Sequence, residues 1–175
     1  MSFRQHLYFI ASEDIFSKGW ISSVIRYLVA PIPIKKQTTD VRAVLNCMKD
    51  LQLQGYEVTY LRPDRMGNIT VQQVADALRE DTALVSMMLV NNETGAVMPI
   101  SQMAKLTHKL CPDAIFHTDA VQGFLKIPFQ AKSLGADLIS VSSHKIHGPK
   151  GAGALYISPR LKSFPALLVG GGQEN

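Results

Sequence analysis

The sequence predicts an α/β protein, a three-layer α/β/α sandwich on a mostly parallel sheet. Three observations carry that reading. From Thr38 onward, short apolar runs alternate with amphipathic stretches at βαβ spacing. The run Ala83 to Val90 is almost unbroken in its apolar character, as a strand buried on both faces requires. Hydrophobic residues make up 46% of the 175 and charged residues 18%, a globular balance that argues against disorder throughout.

The elements come in order along the chain. Asp40 is placed to cap a helix from Val41 to about Gln54, with Val44, Leu45, Met48 and Leu51 on one face and Gly55 as its stop. Glu57 to Leu61 alternates like a strand, and Pro63 to Asn68 reads as a turn. Thr70 caps a helix from Val71 to Arg79, with Val74 and Leu78 turned inward. The apolar strand Ala83 to Val90 comes next, then a helix from Ile100 to Leu110. Ala114 to His117 is a short strand that ends at Asp119. Phe129 to Leu134 is a short helix closed by Gly135, and Leu138 to Ser142 and Ala152 to Ile157 are two further strands. Residues 1 to 37 read differently. They hold nearly half of the aromatic residues without a sustained period, and short helices are expected at Ser12 to Lys18 and Ile21 to Val29. That segment is left unassigned, and residues 38 to 175 form the organised unit.

Composition narrows the function classes. Eighteen Lys and Arg against fourteen Asp and Glu leave a net charge of +4, spread along the chain rather than clustered. This favours anionic ligands mildly and gives no nucleic-acid footprint; no aromatic-bearing strand pattern for RNA is visible either. Cys47 and Cys111 are too few for a disulfide framework or a multi-cysteine zinc site, so a reducing compartment is the simpler expectation. The longest apolar stretch, Trp20 to Ile34, is broken by Arg26, Pro31 and Pro33 and is too short to span a membrane. Glu13, Asp14 and Lys18 spoil the pattern of a secretory signal. A cytoplasmic protein is expected.

In open α/β sheets, ligands collect at the carboxyl ends of the strands. Three successive strands deliver polar groups there: Asn91 to Gly95, His117 to Gln122, and Ser142 to Gly151. Each group also has a plain structural reading. Asn92 and Gly95 suit a turn, Asp119 suits a helix N-cap, and Lys145 suits a solvated loop. His117, His144 and His147 follow no familiar zinc spacing. The glycines from Gly148 to Gly153 lead into a strand, so no helix N-terminus would face a phosphate. Taken together, the groups suit pyridoxal phosphate, which needs a lysine amine, an acid beside the pyridine nitrogen and donors around a phosphate. Lys145 lies next to Ser142 and His144, and Asp119 ends the neighbouring strand.

Four runs in order, Val90-Asn-Asn-Glu-Thr-Gly95, His117-Thr-Asp-Ala-Val-Gln122, Ser142-Ser-His-Lys-Ile-His-Gly-Pro-Lys-Gly151 and Gly170-Gly-Gly-Gln-Glu174, carry a resemblance. Over roughly Thr38 to Asn175 the chain resembles the NifS-like cysteine desulfurases and selenocysteine lyases, in the class V aminotransferase family of fold type I. The resemblance implies that Lys145 is the Schiff-base lysine, that Asp119 partners the pyridine nitrogen and that Gln122 bonds the ring hydroxyl. It implies that Ser142 and His144 hold the phosphate and that Asn92 lies against the ring and the substrate carboxylate. It further implies pyridoxal 5'-phosphate as cofactor, cysteine or selenocysteine as substrate, alanine as product, a homodimer in the intact family, and sulfur supply to iron–sulfur cluster assembly.

The sequence departs from the family in definite places. Val41 stands where the family has a histidine that stacks on the ring. No phosphate-gripping helix start of the Gly-Ala-Thr-Glu type is found in residues 1 to 37. Neither Cys47 nor Cys111 matches the sulfur-accepting position, and the sequence stops at Asn175 before the family's carboxylate-binding arginine and small domain. The expectation is a truncated or divergent cysteine desulfurase, inactive alone. The alternative is a non-catalytic remnant of the same fold that binds or pairs.

Overall fold

The structure, a computed structural model, describes His6–Ile10 and residues 48–162. In chain order the elements are β1 (His6–Ile10), β2 (Glu57–Leu61), α1 (Val71–Ala77), β3 (Thr82–Met88), α2 (Ile100–Leu110), β4 (Ile115–Asp119), α3 (Ala131–Leu134), β5 (Leu138–Ser142) and β6 (Gly153–Ile157). A helical stretch at 48–53 precedes β2, and a 3-10 helix, Ser143–Ile146, comes after β5. The helices expected at Ser12 and Ile21, the first turns of the helix expected from Val41, Cys47 and the run Gly170 to Glu174 lie outside the described residues.

The six strands form one sheet in the order β2-β1-β3-β4-β5-β6. All neighbours are parallel except β5 and β6, which run antiparallel. The fold class is therefore as the alternation of elements predicts. The segment given no place by the sequence contributes β1, which pairs with both β2 and β3. Its run His-Leu-Tyr-Phe-Ile is short and lacks the period-two alternation that marks a half-buried strand, yet it suits an interior position between two partners.

Local chemistry sets the boundaries. The 48–53 helix closes with the Tyr56 N–H on the Leu51 carbonyl at 3.1 Å and the Gly55 N–H on the Gln52 carbonyl at 3.0 Å. That paired closure needs a left-handed residue, and Gly55 has φ +95. Thr70 and Gln73 form a reciprocal capping box at the start of α1. The helix ends at Ala77, two residues short of Arg79, because Leu78 is already extended with ψ 142. In α2, Ile100, Met103, Ala104 and Thr107 are buried, the spacing of one helix face.

That face meets Val85, Met87, Phe116 and Ile139 of the sheet, together with Val74 of α1 and Leu134 of α3. Phe116 is fully buried, and truncating such a side chain costs about 3–5 kcal/mol. On the opposite sheet face the pattern is mixed: Leu84, Leu138 and Met88 alternate with Ser86, His117, Asp119 and Ser140. The helices α1, α2 and α3 thus cover a largely apolar face, on which the buried Thr118 hydroxyl is matched by the Met87 carbonyl at 2.9 Å, and Ser86, His117, Asp119 and Ser140 lie on the other one.

The amino edge of the sheet is locked by Asp137, which is 1% exposed. Its carboxylate accepts hydrogen bonds from the Phe116 N–H at 2.8 Å and Arg160 Nε at 2.8 Å, and lies 2.8 Å from His108 Nε2. Burial pushes the Asp137 carboxyl up, but His108, the Phe116 amide and Arg160 outweigh it and hold the group below the usual carboxylate range. No helix among the described residues is long and apolar enough to cross a membrane.

Candidate functional site

The carboxyl ends of β3, β4 and β5 lie side by side. Met88 is the register partner of Asp119, and Asp119 is the partner of Ser140. Neighbouring strands are about 4.8 Å apart, so the loops leaving these three strands share one edge. The segments that the sequence singles out are the turn after Met88, the end of β4 and the loop after Ser142.

The turn after β3 separates two adjacent asparagines. Asn91 builds it: its Oδ1 accepts the N–H groups of Glu93 and Thr94, each at 2.9 Å, and its carbonyl accepts Gly95 N–H at 3.0 Å. Gly95 takes the left-handed conformation at φ +74. Asn92 and Gly95 thus both lie in the turn, as the plain reading has it, but the side chain that closes it is that of Asn91. The Asn92 Oδ1 is buried and has no hydrogen-bond partner. An unmatched amide oxygen in that setting is costly, on the order of 1–3 kcal/mol, unless a ligand supplies a donor.

Asp119 closes β4 and is 6% exposed. Its Oδ1 accepts the Val121 N–H at 2.8 Å. No α-helix comes next; residues 121–126 form successive turns held by bonds such as Phe124 N–H to the Ala120 carbonyl at 2.7 Å. The carboxylate therefore caps a turn and not a helix. A carboxylate has about four acceptor sites, of which the Val121 N–H takes one. Gln122 stands in these turns, its Oε1 accepting from Lys126 Nζ at 3.0 Å.

Ser142 ends β5, and its Oγ lies 2.7 Å from His144 Nδ1. Lys145 is half-buried in the adjoining 3-10 helix. The loop back to β6 is cinched by Ser143: its N–H and Oγ both bond the Ala152 carbonyl at 3.0 Å, and its Oγ also bonds the Pro149 carbonyl. Gly148 is required here, because a Cβ would sit 2.8 Å from Ser143 Cβ and 3.1 Å from the Ser143 carbonyl oxygen. Residues 148–153 lead into β6, as expected from the sequence.

The histidines do not assemble a metal centre: among the described residues no group of three or more His, Cys, Asp or Glu is placed to hold an ion. His117 is fully buried between Ser86 and Ser140, His144 is bonded to Ser142, and His147 takes a left-handed conformation at φ 63. Cys111 is buried at the opposite edge, before β4, with its thiol donating to the Arg79 carbonyl at 3.0 Å. Burial pushes that thiol up.

The groups at the carboxyl edge suit pyridoxal phosphate: an amine, a largely buried carboxylate, a hydroxyl–imidazole pair and an amide oxygen with no partner. The sequence reading missed His117 as part of a polar row, although its alternation with Asp119 placed both on one face.

Residues 34–175 match the aminotransferase class-V family. Cysteine desulfurase IscS of Anaeromyxobacter dehalogenans is 46% identical over 138 residues, covering 78% of this chain and 33% of that protein. The mitochondrial cysteine desulfurase of Saccharomyces cerevisiae is 44% identical over 138 residues, covering 78% of this chain and 27% of that protein. Among solved structures, SspA in complex with cysteine has a TM-score of 0.74 at 34% identity, covering 98% of this chain and 41% of that one. A NifS-like protein has a TM-score of 0.75 at 31% identity, covering 98% and 40%. The chain spans about a third of the length of the curated relatives it matches.

Proposed function

The chain belongs to the class-V aminotransferase family, and from that premise we propose that it supplies the cofactor-holding part of a pyridoxal 5'-phosphate enzyme of cysteine desulfurase type. The proposed reaction removes sulfur from L-cysteine and leaves L-alanine. The cysteine bound in the related SspA structure favours cysteine over selenocysteine. A homodimer and a cytoplasmic setting are part of the same reading, on the family likeness.

The supporting observation is the convergence of Asn92, Asp119 and the Ser142–Lys145 run at the carboxyl ends of three adjacent strands. Lys145 would hold the cofactor through its amine, and Asp119 would stand at the pyridine nitrogen. Ser142 and His144 would donate to the phosphate, Gln122 would reach the ring hydroxyl, and Asn92 would lie against the ring and the substrate carboxylate. When bound, the cofactor supplies an electron sink for the pair left on the substrate's α-carbon.

The chain's own residues have separable tasks. The Asp119 carboxylate would keep a proton on the ring nitrogen, because a charge-assisted hydrogen bond favours the ionised pair. The amine of Lys145, once the substrate's amine has displaced it, would be free to act as the base for the α-proton. Ser143 and Gly148 touch no ligand in this reading; they fix the loop that carries Lys145.

The test is a spectrum and then an assay. The purified chain mixed with pyridoxal 5'-phosphate should develop a visible absorbance band that Lys145→Ala removes. A band that persists in that variant overturns the assignment of Lys145. Sulfide release from cysteine then separates a desulfurase from a fold that only binds the cofactor.

A further inference from the structure

His117 is 0% exposed, and both of its ring nitrogens meet serine hydroxyls. Nδ1 lies 2.8 Å from Ser86 Oγ, and Nε2 lies 3.1 Å from Ser140 Oγ. Ser86 is on β3 and Ser140 on β5, so one ring ties three strands together. A buried imidazole is costly unless both nitrogens are matched, and here both are. A hydroxyl donates or accepts as needed, so the row suits either neutral tautomer.

The place of this row gives it meaning. Residues two apart on a strand face the same way, so His117 lies directly below Asp119 on the polar face of the sheet. Ser140 is also the register partner of Asp119, and its carbonyl accepts the Ala120 N–H at 2.9 Å. The last residues of β4 are thus held from one side by the backbone of Ser140 and from below by the side-chain row. Apolar contacts tolerate sliding; hydrogen bonds have distance and angle requirements and resist it.

We propose that His117 is a positioning residue for Asp119: the Ser86–His117–Ser140 row fixes the end of β4 between β3 and β5, so that the Asp119 carboxylate stands at the height where a cofactor nitrogen would meet it. Only the last clause rests on the cofactor reading above. The first is a statement about this chain in the absence of ligand. His117 touches no reacting atom and acts through Asp119.

The test uses the full chain with Ser86→Ala, Ser140→Ala, His117→Ala and His117→Gln. Two quantities are read: hydrogen exchange of the Val121 amide, which donates to Asp119 Oδ1 at 2.8 Å, and the affinity for pyridoxal 5'-phosphate with the pH dependence of its absorbance band. Ser140→Ala should speed Val121 exchange on the order of tenfold and weaken cofactor binding by a similar factor, while β2 amides are unchanged. His117→Gln should recover part of what His117→Ala loses, because its amide still bonds a serine. A general packing role would instead speed exchange along the whole sheet and leave the band's pH dependence alone. Val121 exchange within twofold of wild type in both serine variants overturns the proposal. The serine variants remove one hydroxyl each, so they remain informative even where His117→Ala does not fold. A wild-type chain that takes up no cofactor defeats the cofactor reading, and the exchange measurement still decides the role of His117.

Discussion

His108 Nε2 lies 2.8 Å from Asp137 Oδ2, joining the end of α2 to the residue just before β5. Arg160 reaches the other oxygen at 2.8 Å, from the segment after β6. This cluster sits at the amino edge, away from the candidate site, and its consequence is stability. The Asp137 carboxyl titrates below its unfolded value of about 3.9. Its contribution is therefore complete above that value and is lost as pH falls through the lower folded value. Asp137→Ala should destabilise the chain on the order of 3 kcal/mol at pH 7, because it leaves the buried Phe116 amide without its acceptor and removes the carboxylate that joins His108 and Arg160. Urea melts from pH 7 to pH 2 should show a weaker acid dependence in the variant; an unchanged dependence would assign it to other carboxylates.

Lys145 should carry the label when the cofactor-loaded chain is reduced with borohydride and mapped by peptide mass. Lys126 lies in the turns after β4, bonded to Gln122 at 3.0 Å, and Lys150 is exposed in the loop between Ser143 and β6. A pyridoxyl group on either of those lysines would remove Lys145 from its proposed place.

Asp119→Asn separates the two tasks of that residue. Asn keeps one oxygen for the Val121 N–H, so the melt should stay within about 1 kcal/mol of wild type. What it loses is the charge that favours a protonated ring nitrogen, so cofactor affinity and any α-proton exchange should fall at least tenfold, by roughly the 1.4 kcal/mol that factor represents. Unchanged affinity and exchange would leave Asp119 as a turn cap alone.

The outcome for these residues shows what the sequence makes legible. The strands Glu57–Leu61 and Leu138–Ser142 and the helix Ile100–Leu110 have the bounds read from periodicity and caps, because local pattern and burial agree there. β1 was not legible, since His6–Ile10 gains its strand character from the two partners it pairs with. The same holds for the site. Alternation and strand ends brought Asn92, Asp119 and Lys145 to one edge, but the division of labour between Asn91 and Asn92 depends on which side chain closes the turn. The partners of His117 come from strands 31 and 23 residues away, which no local pattern reveals.

Gly148→Ala tests whether the loop geometry matters to the cofactor. The added methyl would meet Ser143 Cβ at 2.8 Å and the Ser143 carbonyl oxygen at 3.1 Å, and the latter is backbone that cannot turn away. The loop must open, so Lys145 shifts. The expected cost is about 1–3 kcal/mol in stability, with loss of the cofactor band. A variant that melts like wild type and binds the cofactor normally would show that the loop tolerates the shift.

The last expectation concerns sulfur. A desulfurase needs a thiol that reaches the substrate to take the sulfur atom. Cys111 is buried at the amino edge of the sheet, donates to the Arg79 carbonyl and has its thiol pushed up by burial, so it is neither close to the Lys145 edge nor readily ionised. Misplacing a reacting group by about 1 Å already costs on the order of a hundredfold in rate, and an opposite sheet edge is far beyond that. The 175 residues with Cys47 replaced by alanine, given excess cysteine, pyridoxal 5'-phosphate and a reductant, should therefore release sulfide no faster than free cofactor does. Cys111→Ala should leave that rate unchanged, and native Cys111 should resist alkylation until the chain unfolds. Sulfide release well above the free-cofactor blank that disappears in Cys111→Ala would make Cys111 the acceptor and require the sheet edge to open during turnover.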